Sequence, residues 1–104
     1  MIYHAVNTSE VELKKTGQGN TRFLYESKDG PNIMIRYWGP ETDLDVHSHP
    51  YNEMWYVLEG EVQMGDKTYG PGSMIFIGKD VPYGPTRVPK GTAALLRYAE
   101  GRGA

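Results

Sequence analysis

Hydrophobic and polar residues along the chain form short runs that glycine, proline and acidic residues separate. The runs that best fit strands lie at 22–26, 33–38, 53–58, 62–64, 74–77 and 93–98. A weaker pattern predicts a strand at 2–6, and 62–64 with 68–69 reads as a hairpin around Gly65-Asp66-Lys67. Such short strands and frequent turns predict an all-β sandwich or small barrel.

The run at 53–58 is apolar on both faces, although side chains alternate across a strand. Trp55 and Val57 share the face of Glu53. The other face is formed by Met54, Tyr56 and Leu58. Both faces should therefore be covered, the second either by the N-terminal strand or by another subunit. Exposed sheet edges in so short a chain also favour pairing, so we predict a homodimer.

The length of 104 residues fits one domain with one core. We expect an N-terminal strand and loop at 1–21, a barrel at about 22–99 and a short mobile tail at 100–104. The 13 glycines, seven prolines and eight tyrosines agree with many turns and half-buried pleated surfaces.

The charge and the absence of cysteine exclude several function classes. The net charge is −2 with no dominant basic patch, which argues against nucleic acid or an anionic membrane as a partner. No apolar run is long enough to span a bilayer, and the N-terminal residues do not begin a signal peptide. Without cysteine there are no disulfides, iron–sulfur clusters or thiol nucleophiles, and a cytoplasmic protein is the simplest inference.

The segment best suited to metal binding or catalysis contains His47, His49 and Glu53. On an extended strand the two histidines project to the same side, and Glu53 has the same parity if the strand resumes after Pro50. Two imidazoles and one carboxylate are a common ligand set for a divalent metal with open coordination positions. The alternative is a solvated pair of histidines, and the spacing alone favours neither interpretation.

The wider spacing around these histidines resembles the first cupin motif. Gly39 is followed by seven residues, His47-Ser48-His49, three residues, Glu53, six residues and Gly60. The cupin family usually has five residues before the first histidine, so this loop is longer. From His49 to Gly60 the spacing fits, and the strand and turn at 55–61 are also similar to the family pattern.

The second cupin motif keeps its spacing in this chain but not most of its residue types. Gly72 matches the motif, whereas Gly78 stands in place of a proline, Asp80 in place of a glycine and Arg87 in place of an asparagine. Tyr83 stands where the family supplies its last histidine ligand. Tyr83 can ligate a metal as phenolate, donate a hydrogen bond to a substrate oxygen, transfer a proton, or simply pack against the barrel wall.

The resemblance implies a single-domain RmlC-like cupin, a jelly-roll barrel of two antiparallel sheets. It implies a divalent metal ion (Fe, Mn, Ni, Co or Zn), with Glu53 and Tyr83 as catalytic candidates. The implied ligands are His47, His49, Glu53 and Tyr83, and the implied pocket residues are Tyr51 and Trp55. The face to which Arg36 and Arg97 point is left open.

The function expected from this resemblance is a small metal-dependent enzyme that acts on an oxygenated small molecule. Dioxygenase, isomerase and lyase chemistry are all candidates. One alternative is a non-catalytic cupin that binds or senses a small molecule. Another is a metal-free enzyme in which histidine and tyrosine perform acid–base chemistry alone.

Overall fold

The computed structural model describes residues 2–101, and within them ten strands form two antiparallel sheets. The strands are β1 (Lys14–Thr16), β2 (Gly19–Tyr25), β3 (Asn32–Trp38), β4 (Asp43–Leu44), β5 (Glu53–Glu59), β6 (Val62–Met64), β7 (Lys67–Tyr69), β8 (Met74–Ile77), β9 (Thr86–Arg87) and β10 (Ala93–Ala99). The larger sheet has the order β1-β2-β3-β10-β5-β8 and the smaller one β4-β9-β6-β7. The predicted all-β fold is confirmed.

The hydrophobic core lies between the two sheets and is rich in aromatic and branched residues. Trp55 and Val57 of β5 and Leu95 of β10 pack against Val62 of the smaller sheet. The alternation predicted for β5 is confirmed, because Glu53, Trp55 and Val57 are buried while Tyr56 and Leu58 are 40% exposed. The inner face of β5 therefore supplies both core and candidate site.

A glycine fixes the turn that follows β5. Gly60 has a φ of +72°, and a Cβ atom there would lie 2.0 Å from the carbonyl oxygen of Thr92. A side chain at this position is excluded by both backbone conformation and close approach. The glycine that ends the first motif thus holds β5 against the start of β10.

The N-terminal region differs from the prediction. No strand forms at 2–6; a short 3-10 helix at Thr8–Glu10 precedes β1 instead. The segment crosses the outer side of β2, where His4 Nε2 lies 2.8 Å from the Leu24 carbonyl oxygen and Arg22 Nε donates to the Val11 carbonyl. It therefore does not cover the outer face of β5. Within the segment 1–21, where a strand and a loop are predicted, β1 and the start of β2 are joined by a tight turn at 17–18.

The C-terminal prediction lies largely outside the described residues. Strand β10 ends at Ala99, and the backbone N–H of Glu100 donates to the Asn52 carbonyl at 2.9 Å. The side-chain amide of Asn32 donates to the Gly101 carbonyl at 3.0 Å. Residues 102–104 are not described. Between residues 2 and 101 there is no helix of the length and apolarity required to cross a membrane.

Candidate functional site

Two backbone hydrogen bonds join the segments that carry the two motifs. The N–H of His47 donates to the Tyr83 carbonyl at 3.1 Å, and the N–H of Tyr83 donates to the His47 carbonyl at 2.9 Å. This is a single bridge rather than the extended strand predicted for His47 and His49. It nevertheless brings Tyr83 beside His47, with ring centroids 4.6 Å apart.

The turn before Tyr83 forms without the usual glycine of the second motif. Asp80, at that position, has a φ of +61°, and its N–H donates to the His49 carbonyl at 2.7 Å. Aspartate tolerates the left-handed region better than most residues with a side chain. The turn therefore keeps its geometry and ties the second motif to His49 as well as His47.

The two histidines lie together, but in different environments. Their ring centroids are 4.9 Å apart, His47 is exposed and His49 is buried against the ring of Tyr51. His47 Nδ1 lies 2.8 Å from the Asp45 carbonyl oxygen. Because a carbonyl only accepts, Nδ1 carries the hydrogen and Nε2 of neutral His47 carries a lone pair.

Glu53 is buried inside the barrel and both of its oxygens accept hydrogen bonds. Arg97 Nη2 donates to Oε2 at 2.6 Å, and Trp55 Nε1 donates to Oε1 at 2.9 Å. The distance from Oε2 to Nε2 of His49 is 3.9 Å. Glu53 is thus close to a histidine, but its strongest contacts are with an arginine and an indole.

Arg97 forms an ion pair with Glu53 and so determines which contacts the Glu53 carboxylate makes. It lies on the inner face of β10, and its Nη2 also donates to the hydroxyl of Tyr51 at 3.2 Å. Burial alone lowers the pKa of Arg97, but Glu53 and Tyr51 outweigh burial and the net pKa is raised. The Arg97 guanidinium therefore stays charged beside Glu53.

The predicted four-residue metal site is not assembled in this arrangement. Residues 2–101 contain no group of three or more His, Asp or Glu side chains placed to hold a metal ion. The physical reason is that the Arg97 cation occupies the Glu53 oxygen nearest to His49. A divalent cation beside it would face like-charge repulsion of about 7 kcal/mol at ~5 Å and an effective dielectric constant of ~20. Only the His47–His49 pair remains as a metal-binding fragment.

Tyr83 points inward and is buried, between the rings of His47 and Trp55. Burial, and next the Glu53 carboxylate, raise the pKa of the Tyr83 phenol well above its ordinary value. At neutral pH the phenol is therefore protonated. It can donate a hydrogen bond, and the phenolate form that would ligate a metal is disfavoured.

These side chains surround a cavity of about 210 Å³. It is lined by two guanidinium groups, two imidazoles, two indoles, a phenol and one leucine: Arg36, Arg97, His47, His49, Trp38, Trp55, Tyr83 and Leu44. Trp55 lines the cavity as predicted. Tyr51 and Glu53 do not line it; they lie behind it, bonded to Arg97.

The two arginines were the residues whose direction the sequence left open. Arg97 shares its parity with Leu95, and Arg36 with Trp38, so alternation alone would have assigned both to the inner face. The alternation of side chains along β3 and β10 is therefore enough to predict that both arginines point into the barrel. The ion pair with Glu53 cannot be predicted in this way, because it depends on the pairing of β10 with β5.

No family model and no curated protein matches the sequence, whereas solved structures match the fold closely. An RmlC-like cupin from Shewanella frigidimarina is 19% identical, with a TM-score of 0.81 over 97% of this chain and 94% of the other. The polyketide cyclase RemF from Streptomyces resistomycificus is 23% identical, with a TM-score of 0.79 over 94% of this chain and 79% of RemF. The Fe(II) form of HppE is 20% identical, with a TM-score of 0.75 over 94% of this chain and 60% of HppE.

At these identities the matches establish the fold. The protein has the jelly-roll fold of small RmlC-like cupins, which is the fold that the two motifs implied. Its structural neighbours include enzymes, among them the cyclase RemF.

Proposed function

We propose that this protein is a small enzyme that acts on an oxygenated small molecule inside the barrel by acid–base chemistry. The observation that carries the proposal is the cavity of about 210 Å³, in which His47 and Tyr83 meet beside the buried Arg97 and the half-buried Arg36. A base with a fixed lone pair and a protonated phenol on one wall are the parts that proton transfer requires.

The roles follow from the hydrogen bonds of each side chain. His47 is the base, because its Nδ1–H is directed at the Asp45 carbonyl and its Nε2 lone pair is free to accept a proton. Tyr83 is the acid, donating its hydroxyl hydrogen to a substrate oxygen on which negative charge develops. Glu53 is a positioning residue in this scheme, because it does not line the cavity but hydrogen-bonds to Arg97, to Trp55 and to the Tyr83 hydroxyl. Isomerase and lyase reactions are the classes that such a pair serves.

A metal-dependent version of the same enzyme is the second candidate. It is favoured by the Nδ1–carbonyl bond of His47, which is the kind of contact that orients a metal-binding histidine, and by the proximity of His49. His47 and His49 would hold the ion, which could be Fe, Mn, Ni, Co or Zn. A bound divalent ion would polarise a carbonyl or enolate, or bind dioxygen. The Fe(II) in the HppE structure gives this candidate further support.

One experiment separates these candidates. Protein without a histidine tag is screened by thermal shift against oxygenated small molecules, with and without EDTA, and each hit is followed by NMR for turnover. The acid–base proposal expects stabilisation and turnover that both survive EDTA, and Tyr83→Phe should lower turnover by about 10²- to 10⁴-fold. Loss of turnover on chelation would support the metal candidate. Hits that bind and never react would overturn both in favour of a non-catalytic binder.

The homodimer is also a proposal, supported by the outer face of the larger sheet. Leu96, Tyr56 and Met74 form one cross-strand row, and Tyr98, Met54 and Phe76 form the next. Met74 and Phe76 are 60% and 62% exposed. Contiguous apolar surface of this kind is typical of an interface, and a second copy would cover it symmetrically. A single monomeric species by light scattering at micromolar concentration would refute the dimer.

A further inference from the structure

Arg36 is the least explained charge inside the barrel. It lies on the inner face of β3, where it is paired across the sheet with Leu95 on one side and Thr21 on the other. Both neighbours are fully buried. Its guanidinium lies over the ring of Trp38, with 5.7 Å to the ring centroid, and lines the cavity.

Arg36 has no acidic partner among residues 2–101. Its Nη1 contacts the Met34 sulfur at 3.9 Å, and its Nε is buried without a hydrogen bond. Arg97, by contrast, is neutralised by Glu53. Two guanidinium groups therefore share one buried carboxylate, and the unbalanced positive charge is that of Arg36. Burying a charge without a counter-charge is costly, so a counter-charge from outside the chain would be bound favourably.

We propose that Arg36 binds the carboxylate of a small organic anion in the cavity of about 210 Å³ that His47 and Tyr83 line. The inference rests on the proposed function, since it names the substrate class of the same cavity. A planar guanidinium offers several N–H donors in a fork that matches a carboxylate, and Nε is already free to donate. At about 210 Å³ the cavity is smaller than sites for drug-sized ligands, which are about 300–1,000 Å³, and this favours a small acid.

A second cavity, of about 260 Å³, is also lined by Arg36 and Arg97 but is a poorer anion site. Its wall includes Glu26, whose negative charge opposes an incoming carboxylate. Among residues 2–101 no acidic side chain lines the first cavity, Glu53 lies behind it against Arg97, and two indoles provide apolar contact for the body of the ligand. The observations therefore favour the cavity beside the histidines.

The probes are benzoate and pyruvate, each compared with its uncharged amide, in calorimetric titrations of the whole chain. The buffer is zwitterionic, free of other carboxylates and phosphate, and contains EDTA. We expect the acids to bind more tightly than the amides, and Arg36→Met to weaken acid binding about 10- to 100-fold, the value of a charge-assisted hydrogen bond. Arg87→Met, which removes an exposed arginine paired with Asp43, should leave binding unchanged.

A stability measurement separates lost binding from lost folding. Because Arg36→Met removes an unpaired buried charge, the urea midpoint should stay the same or rise. Arg36→Lys should keep part of the acid affinity. The proposal is overturned if neither acid binds at millimolar concentration, if the amides bind equally well, or if Arg36→Met binds like the native chain.

The same variants distinguish this inference from the proposed function. Arg36-dependent binding of the acids with turnover that Tyr83→Phe leaves intact would refute only the acid–base roles. If turnover depends on Tyr83 but the affinity for the acids is unchanged in Arg36→Met, only the anion site is refuted.

Discussion

On strand β5 the inner face carries a buried carboxylate, whereas the outer face carries exposed apolar side chains. Glu53 is 1% exposed on the inside, while Tyr56 and Leu58 are each 40% exposed on the outside. A sheet with one solvated face usually shows the reverse, polar outward and apolar inward. The inner face also carries the core residues Trp55 and Val57, so its departure from that pattern is the single buried carboxylate, whereas the apolar outer face agrees with the proposed dimer.

The two faces also differ in how their unfavourable groups are stabilised. On the inside, Arg97 and Trp55 each donate to one oxygen of Glu53 and the Tyr83 hydroxyl also hydrogen-bonds to this carboxylate, so the stability of the charge depends on particular side chains. On the outside, the rows of apolar side chains across β10, β5 and β8 do not depend on hydrogen bonds of the kind that hold Glu53. Substitutions on the inner face should therefore unfold the protein, whereas those on the outer face should change its assembly.

The largest effect is expected from breaking the buried ion pair. Glu53→Leu leaves the Arg97 guanidinium buried without its carboxylate, and the free energy of unfolding should fall by about 3–5 kcal/mol. Urea denaturation measures the loss. The matched control is the double variant Glu53→Leu with Arg97→Met, which should recover most of it, because neither charge then remains. Losses that simply add in the double variant would contradict the coupling.

A smaller loss should follow Trp55→Phe, which removes the indole donor to Glu53 and little of the apolar contact. A hydrogen bond to a charged group contributes about 1.5–3 kcal/mol, and urea denaturation should show a loss in this range. Trp38→Phe is the control for the change of ring size, since the Trp38 indole makes no bond to a carboxylate in the described chain. Equal losses in the two variants would mean that packing, not the donor, is what matters.

On the outer face, Phe76→Lys should dissociate the proposed dimer while changing the unfolding free energy of the monomer by about 0.5 kcal/mol or less. The physical reason is that a lysine in the centre of an apolar interface would be desolvated without a partner. Sedimentation velocity reports the change of mass. Val81→Lys alters an exposed apolar residue outside these rows and should leave the dimer intact. A dimer that persists in Phe76→Lys is evidence against this interface.

The smallest effect is expected for the exposed ion pair of Arg87 and Asp43, whose N–O distance is 3.1 Å. Solvent screens this pair, so Arg87→Ala should lower the unfolding free energy by about 0–1 kcal/mol. Urea denaturation of Arg87→Ala and of Glu53→Leu under the same conditions tests whether burial explains the difference between their losses of unfolding free energy. A loss as large as that of Glu53→Leu would contradict the contrast between inner and outer faces.

Local patterns predicted the features that depend on neighbouring residues. The alternation on β5, the hairpin at 62–69 and the histidine spacing each rest on a few adjacent residues, and the structure has all three. The partner of Glu53 could not be found in this way. Arg97 is 44 residues further along the chain, and it reaches Glu53 only through the register that pairs it with Trp55.

The N-terminal segment illustrates a second limit. Its apolar residues at 2–6 favoured a strand, but the segment instead lies across β2, where His4 contacts the Leu24 carbonyl. The outer face of β5 is predicted to be covered by this segment or by a second subunit; the described N-terminal residues leave Tyr56 and Leu58 exposed, and the second subunit stays a proposal. Which surface a terminal segment covers is decided by tertiary packing, which local propensity does not encode.

The measurement that tests the account most directly is anomalous diffraction from crystals soaked in cobalt(II), collected at the cobalt absorption edge. We predict that Glu53 remains within hydrogen-bonding distance of Arg97 and that any cobalt ion is held by His47 and His49. A cobalt ion with a Glu53 oxygen at about 2.1 Å, and Arg97 turned away, would contradict it.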